Sequence, residues 1–186
     1  DATGQKAMGN TSVTTLDVDL QEAAYKAIGS NKGAVIVMEP STGKILAMVS
    51  KPDYDPNDAS TDYSEWLTYD SADSVLLNRA TQGLYPPGST FKIITMSAGL
   101  SEGVVSPNDS FFCPGYKIVE DRRIHCHKRT GHGAENFVQG AQNSCNPVFI
   151  EVGLRLGVEK FCDYFRKFGL MEKTGIDLPG EASTIM

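Results

Sequence analysis

The chain has 186 residues, a formal net charge of −6, 40% hydrophobic residues and 22% charged residues. That composition suits one domain with a substantial core. The modest acidity, with no basic cluster, argues against nucleic acid as a partner, and no apolar run is long enough to cross a membrane.

Residues 1–12 read as a linker and 13–186 as the folded part. Over 14–28 the spacing predicts a helix, capped by Asp17 or Asp19, with Leu20, Ala23, Ala24, Ala27 and Ile28 on one face. Residues 34–39 and 44–50 read as two strands joined by the turn Pro40-Ser41-Thr42-Gly43. Residues 51–75, rich in Asp, Ser, Tyr and Pro, predict a surface excursion pinned by Trp66 and Leu67, with Asp53 and Asp55 as solvated turn residues. Arg79 reads as a structural ion-pair partner. Tyr85-Pro86-Pro87-Gly88 forces a turn. The apolar run Phe91, Ile93, Ile94, Met96, Ala98, Leu100 then predicts a buried helix over 89–101, ended by Gly103. Residues 111–124 suggest irregular β structure around Cys113-Pro114-Gly115. Residues 137–142 read as a short helix, and 146–156 and 158–168 as two more, broken at Gly157. No repeat or low-complexity tract occurs.

Within this order, Ser89 and Lys92 lie three apart at the start of a predicted helix, so their side chains share a face. A serine hydroxyl becomes an effective nucleophile when a neighbouring base removes its proton. Lysine can be that base when burial or nearby charge lowers its pKa. Taken alone, Ser89 could equally cap the helix with Lys92 solvated. Further along, Ser144-Cys145-Asn146 places two polar side chains two apart, ahead of Pro147; Ser144 there could cap the following helix as well as act in chemistry.

Ser-x-x-Lys with a Ser-x-Asn triplet is a motif pair of penicillin-recognising serine enzymes. With these motifs the chain resembles the transpeptidase domain of a class B penicillin-binding protein. The stretch from Gly33 through Met48 looks like that family's first hairpin, Asn78-Arg79-Ala80 with Tyr85 to Lys92 like its nucleophile segment, and Gly175-Ile176-Asp177-Leu178-Pro179-Gly180-Glu181 like its downstream loop. The family's third motif, Lys-Thr/Ser-Gly, sits on a core strand. Lys173-Thr174-Gly175 matches it in letters but runs into a turn-rich segment, so it is read as a loop.

The resemblance implies an α/β (α+β) fold: helices packed on an antiparallel sheet, plus an all-helical subdomain bearing Ser144, with the third-motif strand outside these residues. It implies a peptidoglycan D,D-transpeptidase anchored by an N-terminal helix on the outer face of the cytoplasmic membrane. Ser89 would be the nucleophile and Lys92 its base. Ser144 would shuttle a proton, and Asn146 would hold the donor peptide and steady Lys92. Gly88, Thr90 and Cys145 would line the substrate. Half of the oxyanion hole would be the Ser89 N–H and half would come from the third-motif strand, so these residues alone are expected to acylate poorly; one lost donor costs ~100–1000-fold. Implied partners are stem peptides, β-lactams, a membrane glycosyltransferase of the cell-wall machinery and a thiol–disulfide oxidoreductase. An exposed sheet edge would also invite a second copy. Two rivals remain. A β-lactamase or β-lactam sensor would need a deacylating base, for which only the unplaced Glu135 and Glu151 stand out. A non-catalytic scaffold of a division or sporulation complex would need none.

Of the four cysteines, Cys162 reads as a core thiol. Cys126 and Cys145 resemble cysteines of sporulation-specific class B enzymes, which implies a disulfide switch beside the site. Two other readings stay open: ordinary free thiols, or mixed zinc ligation from Cys113, His125, Cys126, His127 and His132. The spacing fits no standard zinc pattern, so neither metal nor cofactor is assigned.

Overall fold

The computed structural model describes residues 9–184, so most of the linker expected at 1–12 lies outside the described residues. The chain divides into two compact units: residues up to 84 together with 178–182, and 85–177 together with the last residues.

In the first unit, helix α1 spans Val18–Ile28 and starts later than the periodicity suggests. Asp17 is extended, and its carboxylate accepts the Leu20 N–H at 3.0 Å, which fixes the first turn there. Strands β1 (Gly33–Met38) and β2 (Ile45–Lys51) form the expected antiparallel hairpin, pairing Val35 with Val49 and Val37 with Ala47. These four residues share one face and bury Ala24 and Ile28 of α1. Gln21 locks the layers by accepting the Met48 N–H and donating to the Met48 carbonyl, both at 2.8 Å.

The excursion holds a helix that pattern reading missed, α2 (Ala59–Trp66), entered through a 3-10 turn over Pro56–Asp58. Asp53 and Asp55 are exposed, as expected, and Asp55 also caps this turn, its carboxylate accepting the Asn57 N–H at 2.9 Å. Trp66 is buried against Tyr54 and Tyr63, with centroids 4.8 and 6.4 Å away, whereas Leu67 is exposed, so Trp66 is the anchor. Arg79 is only 5% exposed. Its guanidinium donates to the carbonyls of Ala72, Ser74 and Leu77 instead of meeting the expected carboxylate partner. Arg79→Met should therefore leave these carbonyls without their donor and cost about 2–3 kcal/mol; an unchanged urea midpoint would show that the staple carries no stability.

In the second unit, a 3-10 turn over Gly88–Phe91 runs directly into α3 (Lys92–Ser101). Strand β3 (Ser110–Cys113) pairs with β6 (Gly133–Asn136), and β4 (Tyr116–Val119) with β5 (Arg122–His125). Helix α4 (Phe137–Gln142) follows as expected, fixed by a capping box between Asn136 and Gln139. Helix α5 (Asn146–Lys167) is two helical pieces interrupted at Gly157, where φ is +74°. The core gathers Ala98, Val105, Phe137, Val148, Phe149, Val152 and Leu156. Helices α3 and α5 cross so closely that a Cβ on Gly99 would lie 2.7 Å from a Val152 methyl. Phe91 packs on Phe161 and Phe165 of α5, which seats the turn carrying Ser89.

The α+β class is as expected, but the unit bearing Ser144 is not all-helical. Its strands are four residues each, too short to show an alternating pattern, and among the described residues the β structure is three separate two-stranded ribbons. Lys173-Thr174-Gly175 lies outside any strand, as expected. Cys162 is half-buried rather than a core thiol.

Candidate active site

Gly88, with φ +57°, turns the chain after Pro87, and the Thr90 hydroxyl donates to the Pro87 carbonyl at 2.5 Å. This tight turn leaves Ser89 exposed and puts Lys92 one turn later, its Nζ 3.3 Å from Ser89 Oγ. The expected 89–101 helix thus begins with a 3-10 turn, and the nucleophile candidate sits in it.

Ser144 reaches the same point from between α4 and α5. Its φ is +48°, a left-handed conformation that costs a serine on the order of 1–3 kcal/mol. The turn is held by the Ser144 N–H on the Ala141 carbonyl (3.0 Å) and the Cys145 N–H on the Gly140 carbonyl (2.8 Å). Pro147 then starts α5. The strained turn aims Ser144 Oγ at Ser89 Oγ, 3.1 Å away.

Lys92 Nζ lies 2.7 Å from the Ser144 carbonyl, 2.7 Å from Asn146 Oδ1 and 2.9 Å from Ser144 Oγ. The Asn146 amide orientation is fixed because its Nδ2 donates to the His125 carbonyl at 2.9 Å. Two of the Lys92 partners, the carbonyl and Oδ1, can only accept. A neutral Lys92 amine would commit both N–H groups to them and present its lone pair to the two serine hydroxyls. Burial lowers the Lys92 pKa and favours that neutral form, while nearby Cys126 and Cys145 act against it. The Phe149 ring, 5.5 Å from Nζ, supplies part of the apolar wall and was not singled out by the sequence.

Ser89, Lys92, Ser144 and Asn146 are therefore brought together, with Gly88 and Thr90 flanking the nucleophile. Cys145 is fully buried, so its side chain does not line the substrate space as expected. Its thiol joins those of Cys113 and Cys126 and the His132 ring, all four ligand atoms lying within 4.8 Å of one another. All four cysteines are free thiols. Of the zinc-ligand candidates read from sequence, Cys113, Cys126 and His132 enter this group, His125 and His127 do not, and Cys145 is added. Burial and the adjacent Glu135 carboxylate push the Cys145 thiol up. Burial opposes ionisation of Cys126 too, but the N–H groups of Asn146 and Lys128 outweigh it and bring that thiol down. Neither acid weighed as a deacylating base is aimed at Ser89: Glu151 pairs with Lys117 and Arg155, and Glu135 accepts from Asn143.

Comparison with known proteins identifies the family. The chain is 42% identical over 173 residues to stage V sporulation protein D of Bacillus subtilis, covering 91% of this chain and 25% of that protein. It is 37% identical over 182 residues to the peptidoglycan D,D-transpeptidase MrdA of Escherichia coli, covering 94% of this chain and 28% of that one. The chain thus spans about a quarter of the length of these relatives. The solved penicillin G acyl-enzyme complex of penicillin-binding protein A from M. tuberculosis superposes with a TM-score of 0.84 at 28% identity, over 98% of this chain and 45% of that one. The family model for the penicillin-binding protein transpeptidase domain matches residues 33–186, and with its Ser89, Lys92, Ser144 and Asn146 gathered at one point the chain belongs to that family.

Proposed function

We propose that residues 13–186 are part of a D,D-transpeptidase that cross-links peptidoglycan through an acyl-enzyme at Ser89. The observation that carries this reading is the Lys92 amine, with two acceptor-only partners at 2.7 Å and two serine hydroxyls on its remaining side. Lys92 takes the Ser89 proton as Oγ attacks the carbonyl of the penultimate D-alanine, and the Ser89 N–H donates to the oxyanion that develops. Ser144, in contact with both, delivers the proton to the departing D-alanine amine. An acceptor amine then attacks the ester and returns the proton along the same path, releasing the cross-linked peptide and free Ser89. A β-lactam enters by the same attack, its ring amide standing in for the D-Ala-D-Ala bond. Asn146 steadies Lys92 and meets the donor peptide.

In this reading the protein works on the outer face of the bacterial cytoplasmic membrane, anchored there, beside a membrane glycosyltransferase and within reach of a thiol–disulfide oxidoreductase. In this reading the acyl-enzyme formed with a β-lactam is long-lived, which sets it apart from a β-lactamase. Incubating the full-length protein with penicillin and mapping the adduct by mass spectrometry tests this. A slowly hydrolysed adduct on the Ser89 peptide is expected. An adduct elsewhere overturns the assignment, rapid turnover favours the β-lactamase, and no adduct favours a scaffold.

A further inference from the structure

We propose that an exposed basic strip, running from β5 into the loop after it, binds the free carboxylates of the donor stem peptide upstream of its D-Ala-D-Ala end, an assignment that rests on the transpeptidase reading above. The chain as a whole is acidic, and that overall balance hides a local basic cluster. Between Asp121 and Glu135 there is no acidic residue, yet four of the 17 lysines and arginines stand there: Arg122, Arg123, Lys128 and Arg129. All four are exposed. Among the described residues none of them makes an ion pair, whereas Lys117, Arg155, Lys160 and Arg166 each do.

The strip begins at the candidate site. The His125 carbonyl, at the end of β5, accepts from the same Asn146 amide that meets the donor peptide in the proposed reaction. Paired residues of an antiparallel ribbon point to one side, as do residues two apart along a strand. The pairs Tyr116–His125 and Ile118–Arg123 therefore put Tyr116, Arg123 and His125 on one face, while Lys117 on the other face reaches Glu151 of α5. Arg123 lies diagonally across from Tyr116, its guanidinium carbon 4.4 Å from the ring centroid. Stacking holds the guanidinium plane and leaves its N–H edge open, the arrangement suited to a two-pronged grip on a carboxylate. Backbone contacts fix Lys128 and Arg129. The Gly131 N–H donates to the Lys128 carbonyl at 3.0 Å, and a Cβ on Gly115 would lie 2.0 Å from the Arg129 carbonyl oxygen.

The ligand follows from length and charge. Two residues of strand, about 7 Å, separate His125 from Arg123. An extended peptide rises by a similar ~3.3–3.6 Å per residue. A donor that passes Asn146 therefore brings the residue two places upstream level with Arg123. Stem peptides carry free carboxylates in that part, among them the α-carboxylate left by a γ-linked glutamate. Lys128 and Arg129 extend the positive field past Arg123 and favour an acidic peptide over a neutral one at encounter. Arg123 thus selects the donor and takes no part in the proton transfers at Ser89.

The test is competition for penicillin labelling of Ser89 in the full-length protein. Two synthetic pentapeptides ending in D-Ala-D-Ala are compared, one with the upstream glutamate α-carboxylate free and one with it as the carboxamide. An exposed charge pair is worth roughly 2–5-fold in binding, so wild type should need about 2–5-fold less of the acid peptide to halve the labelling rate. Molar salt should erase that difference. Arg123→Gln should remove it, and Arg166→Gln, in the last turn of α5, should keep it. The ratio is taken within each variant, so a general loss of activity or folding cancels, and the wild-type ratio needs no variant at all. Equal competition by the two peptides in wild type, no competition by either, or an unchanged ratio in Arg123→Gln would each overturn the proposal. Labelling without peptide is scored separately: no adduct removes the transpeptidase reading and this one with it, and an adduct with no preference for the acid peptide removes this one alone.

Discussion

Replacing Lys92 with arginine is expected to slow penicillin acylation of Ser89 by ~100–10,000-fold at neutral pH, the range usual for loss of a positioned general base. Arginine separates the two ways Lys92 could act. If a positive charge beside Ser89 were enough, the guanidinium would retain much of the rate. If the role is to accept the Ser89 proton, arginine fails because its guanidinium stays protonated in proteins. The geometry favours the second, since the acceptor-only partners at 2.7 Å leave the lone pair of a neutral amine facing the hydroxyls. Lys92→Met should lose as much as arginine does, because neither side chain can take the proton. The second-order acylation rate decides it, with thermal unfolding checking that each variant is folded. An arginine variant within tenfold of wild type would remove Lys92 as the base.

What the sequence discloses about this site follows from how local each relation is. Ser89 and Lys92 are readable because three residues of helical rise bring them together without help from the rest of the chain. The break at Gly157 and the helix over 137–142 are readable for the same reason, since glycine and a capping Asn–Gln pair act within a turn. Ser144 and Asn146 are recognisable as a motif, but nothing in their letters shows that Ser144 must be left-handed to reach Ser89. Helix α2 escapes because Ala-Ser-Thr-Asp-Tyr-Ser-Glu-Trp carries no apolar periodicity; burial of Trp66 holds it in place. The thiol cluster is the least local of all. Its members are scattered over four segments, and glycines at 115 and 131 allow the backbone approach that assembles them. Burial is what keeps Cys145 from being the contact residue expected of it.

Asn146→Asp is expected to move the pH dependence of acylation in a direction that tests the same chemistry from the other side. Wild-type Lys92 titrates below the usual 10.5 of lysine because burial disfavours its charge. Acylation should therefore rise with pH through that lowered pKa, as the amine becomes neutral. Asn146 Oδ1 is 2.7 Å from Nζ, so an aspartate there places a full negative charge against the ammonium. An opposite charge at this range raises a lysine pKa by roughly 1–3 units, and below that pKa the neutral fraction falls by about 10–1000-fold. Acylation at neutral pH should fall by that factor, and the rising limb should shift to higher pH with partial recovery in alkaline solution. Recovery should stay incomplete, because an ionised aspartate cannot donate to the His125 carbonyl as the amide does. Asn146→Ala supplies the contrast: it removes the acceptor and adds no charge, so its plateau should drop with no upward shift of the limb. A limb that stays in place or moves to lower pH in Asn146→Asp would mean that the proton leaving Ser89 does not travel through Lys92.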